Sequence, residues 1–154
     1  MAIAIGVAAL VLIGFELFPA PRPLYSAEFS PIYERIAADP RPVRVLNLPF
    51  GVRDGVSSTG NFSARSQFNQ TRHGKPLIGG YLSRISRRRV VAMQQDFPTL
   101  AALIKLSEDA PLDAGVARTL SEHGDRLVRR ANIGYVVIDS RFIPDERARL
   151  VIEA

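Results

Sequence analysis

Apolar positions are arranged in three ways along this chain. They form an uninterrupted, charge-free run over the first fifteen residues, MAIAIGVAALVLIGF, they recur at helical spacing in several later stretches, and they crowd into two short runs, VRVLNLP and YVVID. The first run predicts a helix over residues 1–18, roughly 27 Å long, which is close to the thickness of a bilayer core. We read it as a transmembrane helix. A secretory signal peptide competes with this reading because small residues follow in FPAPRP. However, nothing basic precedes Arg22, and Pro19 and Pro21 disturb a small-x-small cleavage site. A buried helix of a globular core is the third reading.

After this run the chain takes on the pattern of a water-exposed domain. PAPRPLYSAEFSP carries four prolines in thirteen residues, which predicts an extended, helix-free linker over 19–29. Ser30 then stands as an N-cap before Pro31, and Ile32 and Ile36 share a face, so a short helix is expected to about Asp39. Val43–Pro49 is β-branched and apolar with little polar interruption, the pattern of a strand buried on both faces. From Phe50 to Thr71 no period survives, and a long loop is expected there. Within it, Asn61-Phe62-Ser63 and Asn69-Gln70-Thr71 are glycosylation sequons, of consequence only in a glycosylating pathway.

KPLIGGY predicts a short strand closed by glycines. RRRVVAMQQD leads into a helix that Pro98 and TLAALIKL carry to about Ser107. Asp113 is the expected cap of the next helix. In that helix Val116, Leu120, Leu127, Val128 and Ala131 recur at helical spacing, basic residues fill the last turn, and Gly134 lies just past the end. YVVID predicts a second buried strand. A last helix starts around Pro144, Asp145 and Glu146 and runs to the final residue. Strand, helices, strand, helix is the order of an α/β fold: a small parallel or mixed sheet flanked by helices, here occupying residues 30–154 after the transmembrane helix.

Composition changes this picture only modestly. The 154 residues hold 20 Lys+Arg against 15 Asp+Glu, a net charge of +5, and 47% are hydrophobic, enough for one compact core. The basic excess gathers at Arg84, Arg87, Arg88 and Arg89, which suits anionic lipid headgroups or phosphate better than the spread footprint of a nucleic-acid binder. A solvated basic turn is the plainer reading. Counted alone, these arginines favour a cytoplasmic domain, although long domains translocate largely regardless of charge. With no cysteine and only His73 and His123, neither a thiolate nor a histidine-rich metal site is expected.

The strand ending in LNLPFG, then QTRHGKPLIGGYLSR, then a helix and NIGYVVID together resemble the C-terminal extramembrane domain of bacterial multi-pass membrane glycosyltransferases of the C-type fold. The most specific part is Gln70 to Tyr81. The resemblance covers nearly the whole chain and implies that residues 1–18 are the last span of a larger polytopic protein. It implies, too, a bacterial inner-membrane location with the domain on the periplasmic or extracellular face, and sugar transfer from a lipid-phosphate donor with no further cofactor. The catalytic carboxylate of such enzymes usually lies near the N-terminal helices, so this domain is expected to assist transfer rather than catalyse alone. A closing strand or hairpin expected after RLVIEA is missing, so the domain reads as truncated at its C-terminus.

The chemistry of the signature stretch is open to two readings. His73 could accept a proton, and Gln70, Lys75 and Arg84 could donate to an anionic or hydroxyl-rich ligand, with Gly79, Gly80 and Tyr81 beside them. Alternatively His73 and Gln70 satisfy backbone groups, Pro76 fixes the start of a strand, and the glycine pair permits a turn with φ > 0. No catalytic residue is assigned. Ser121, His123 and Asp125 do not converge when spaced along a helix, and GGYLSR is not a phosphate loop. Three functions follow: a lipid-dependent sugar transferase's accessory domain, a membrane-anchored binding or assembly module, or an independent hydrolase.

Overall fold

The computed structural model describes residues 2–17, 28–108 and 114–152. Helix α1 spans Ala2–Leu17, and its described side chains are all exposed. Its sixteen residues reach about 24 Å, short of a hydrocarbon core of about 30 Å. No helix among the described residues is long and apolar enough to cross a membrane, so the transmembrane helix expected over 1–18 is not supported. The linker expected over 19–29 lies outside the described residues except for Glu28 and Phe29.

The remaining elements in chain order are α2 (Pro31–Ala38), β1 (Arg44–Leu48), β2 (Gly51–Arg53), β3 (Ser58–Gly60), α3 (Ala64–His73), β4 (Leu77–Ile78), β5 (Gly80–Tyr81), α4 (Arg87–Asp96), α5 (Pro98–Ser107), α6 (Ala114–Ala131), β6 (Ile133–Ile138) and α7 (Asp145–Ile152). They form the expected α/β arrangement, but with two small sheets. One is fully parallel, ordered β4-β1-β6, and the other is mixed, ordered β3-β2-β5.

Strand β1 is central, and its alternation explains its near-continuous apolar sequence. Val45 points into a cluster with Tyr33 and Ile36 of α2, flanked by Leu77 and Tyr135. Leu46 and Leu48 point the other way, into the main core with Leu103, Leu106, Val116, Leu120, Leu127 and Ile143. Helices therefore cover both faces of the parallel sheet. Complete burial of Ile36 and Val45 contributes about 1.5–3 kcal/mol each. No residue of α1 belongs to either cluster, so residues from Glu28 onward bury their cores without it.

Several expectations change in detail. The stretch 50–71 is not one loop but holds β2, β3 and most of α3. Helix α3 was hidden because ARSQFNQTRH is polar on almost every side and buries only Asn69 and His73. Its signals are the caps: Ser63 accepts from the Arg65 amide, and Gly74 closes the end in the left-handed conformation. The helix expected through Pro98 is two helices, α4 and α5, because Phe97 leaves helical geometry before that proline.

The left-handed residue after α6 is Asn132, with φ of 51°, rather than Gly134. Gly134 lies within β6, where a Cβ would come within 2.3 Å of the Val43 side chain. β6 starts two residues before YVVID and is half-buried, because it is an edge strand. Asp113, the expected α6 cap, lies outside the described residues. KPLIGGY holds two strands, and the chain crosses from one sheet to the other at Gly79, with φ of 84°. A Cβ there would fall 2.6 Å from the Gly51 carbonyl oxygen and 2.8 Å from the Phe50 ring.

Candidate functional site

The signature stretch lies where α2, α3 and the parallel sheet meet. Gly74 lets the chain turn sharply off α3, and this turn brings Lys75 back beneath α2. Its Nζ donates to the carbonyl oxygens of Asp39 and Arg41 at 2.7 and 2.8 Å, fixing the segment that leads into β1. Gln70 Nε2 donates to the Lys75 carbonyl at 3.1 Å. His73 is buried, and its Nδ1 accepts the Lys75 amide at 3.1 Å. Its ring stacks on Tyr33, with centroids 5.9 Å apart and planes 17° from parallel. Burial, aided by the charge of Lys75, holds the His73 pKa below its ordinary value.

Apart from the His73 Nε2, which is buried without a hydrogen-bond partner among the described residues, these polar groups are engaged inside the protein. Among the seven residues predicted from sequence, Gln70, His73 and Lys75 come together in this joint, Gly79 and Gly80 form the crossing between sheets, and Tyr81 and Arg84 are exposed on the far side of that crossing. Ser121, His123 and Asp125 lie exposed along α6, where Asp125 pairs with Arg129 one turn on at 2.9 Å. Of the two sequons, Asn61 is exposed, whereas Asn69 is buried and committed to another bond.

A cleft of about 310 Å³ opens beside the joint, at the carboxyl end of β6 and the start of α2, and none of those seven residues lines it. In parallel α/β sheets this is the end where ligands collect, because strands stop there while the helices' amino ends and the connecting loops converge. Tyr33 forms part of the floor, and its hydroxyl accepts from Asn69 Nδ2 at 2.7 Å. Burial raises the Tyr33 pKa, which keeps the hydroxyl protonated and able to donate. Val137 and Ile138 give one wall an apolar surface.

Charges in the cleft are balanced. Asp139 receives both an amide and a guanidinium hydrogen bond from Arg141, and the side-chain bond is the main cause that lowers its pKa. Asp139 therefore stays ionised and serves as an acceptor rather than an acid. Arg65, from the first turn of α3, adds through its charge to the lowering at Asp139 and slightly opposes the rise at Tyr33, and Glu28 also lines the cleft. Two carboxylates and two guanidiniums sum to zero. Ser30, whose hydroxyl does not cap α2, and Ser140 add neutral donors and acceptors.

Sequence reasoning missed this cleft, since Arg65 and Asp139 stand in different elements and only the sheet brings them together. The available signal was an aspartate at the end of the run VVID, the strand terminus where α/β sites collect. No clustered set of histidine or carboxylate side chains suited to a metal occurs among the described residues. No family model, curated protein or solved structure matches the chain.

Proposed function

We propose that this chain is a membrane-anchored α/β domain that holds the sugar end of a lipid-phosphate donor for a transferase, assisting the reaction rather than performing it. The observation that carries this reading is the charge-balanced cleft. A neutral, hydroxyl-rich ligand can donate to the Asp139 carboxylate and accept from Arg65 and Tyr33, with no net field selecting for a bare anion. Asp139 is held ionised by Arg141, so it is suited to orienting a hydroxyl and not to protonating a leaving group.

Helix α1 supports the anchoring. Its apolar side chains face outward on all sides, which is unfavourable in water and favourable against lipid. The resemblance of Gln70–Tyr81 to the outer-face domain of polytopic bacterial transferases is in keeping with this reading. Internal use of Gln70, His73 and Lys75 favours a second reading, a membrane-anchored binding or assembly module without a transferase partner.

The test measures sugar transfer from a polyprenyl-phosphate sugar by the full-length membrane protein with Arg65→Ala and Ser140→Ala, separately. Loss of one hydrogen bond to the sugar lowers transfer about tenfold for each variant, with membrane expression and thermal stability unchanged. Transfer at the parental rate in both variants refutes the role of the cleft, and no transfer by the parental protein favours the binding module.

A further inference from the structure

Exposed arginines gather around the start of α4. Between Asp54 and Asp96 the chain carries no acidic residue, yet it holds seven basic ones. Arg84, Arg87, Arg88 and Arg89 are all exposed, and none forms an ion pair among the described residues. Three of them occupy successive positions in the first turn of α4, directly after the Ser86 cap, where the helix dipole disfavours cations. Among the described helices α4 is set apart by three successive arginines in its first turn, where α3 and α7 hold one basic residue each, Arg65 and Arg147. A local electrostatic preference is broken here, and no ion pair among the described residues compensates for it.

Apolar side chains stand among these cations. Leu82, beside Arg84, is 42% exposed, and Val91, one turn along α4 from Arg87 and Arg88, is 45% exposed. Alternation of guanidiniums with exposed apolar groups is the pattern of a surface that lies on lipid: arginine forks grip phosphate oxygens while the apolar groups enter the headgroup boundary. Phosphate-backbone binding draws on cationic and polar groups, to which exposed leucine and valine beside the arginines add little. We infer that the Arg84–Val91 face docks the domain onto an anionic bilayer surface, independently of α1 and of whether the cleft holds a sugar.

The test uses the chain from Glu28 onward, which keeps both core clusters, and sediments it with phosphatidylglycerol-containing vesicles or with pure phosphatidylcholine vesicles. Binding is expected to the anionic vesicles only and to be abolished by high salt. At about fivefold per arginine, changing Arg84, Arg87, Arg88 and Arg89 together to Gln weakens binding about 10²- to 10³-fold. A control variant with the same charge change, at the exposed Arg35, Arg118, Arg126 and Arg149, retains most of the affinity, with both variants folded by circular dichroism. Failure to bind anionic vesicles, equal binding to neutral ones, equal losses in the two variants, or tighter binding to duplex DNA than to vesicles would each overturn the inference.

Discussion

Replacing Lys75 with Met separates the two roles open to the signature stretch. The side chain's stem is buried, and its ammonium group spans the carbonyl oxygens of Asp39 and Arg41 at 2.7 and 2.8 Å, beneath the chain that joins α2 to β1. Methionine preserves the stem's volume and apolar contacts, so the change removes two charge-assisted hydrogen bonds with little cavity formed. Each such bond contributes about 1.5–3 kcal/mol, and recovery of water by carbonyls at the partly exposed joint offsets part of the sum. The expected loss is about 2–3 kcal/mol, or about 5–10 °C in Tm for a domain of this size. Urea unfolding of the chain from Glu28 onward, followed by circular dichroism, measures it. A loss below about 0.5 kcal/mol, the range of ordinary surface changes, would refute the structural role and return Lys75 to the pool of ligand-binding residues.

Two further predictions concern the mixed sheet. Asp54 accepts from the amides of Ile85, Val56 and Ser57, which hold its pKa down to about 2, so its stabilising effect is complete above the unfolded value near 4 and is lost as pH falls towards 2. Asp54→Asn should flatten the acid side of the stability profile between those values, and an unchanged slope in urea titrations across that range would contradict the assignment. Gly79→Ala combines a φ of 84° with a Cβ 2.6 Å from the Gly51 carbonyl oxygen, so strain and overpacking together should cost about 3 kcal/mol or more, and a thermal melt within 2 °C of the parent would show that the crossing between sheets relaxes freely.

The fold class was legible because its main strand is covered on both faces. Burial of Val45 on one side and Leu46 and Leu48 on the other requires an apolar run without polar interruption, and that run can be read without knowing what covers it. The helices α2 and α6 were legible from their apolar spacing, and α2 also from the proline at its start. Helix α3 was not, because its residues earn their place through hydrogen bonds, Asn69 to Tyr33 and Gln70 to the Lys75 carbonyl, and such partners leave no periodic trace in sequence.

Sequence by itself determined the α/β class, the apolar N-terminal segment, the concentration of arginine between residues 84 and 89, and the left-handed turn at the glycine pair. These depend on neighbouring residues: composition, period and steric freedom act within a few positions. Tertiary structure alone decided that Gln70, His73 and Lys75 bond inward, and that Arg65, Tyr33 and Asp139 line one cleft. Arg65 and Asp139 belong to α3 and to the end of β6, and they meet only because β6 pairs in parallel with β1 and carries its carboxyl end to the start of α2. That pairing is chosen by long-range burial, which no short window of the sequence records.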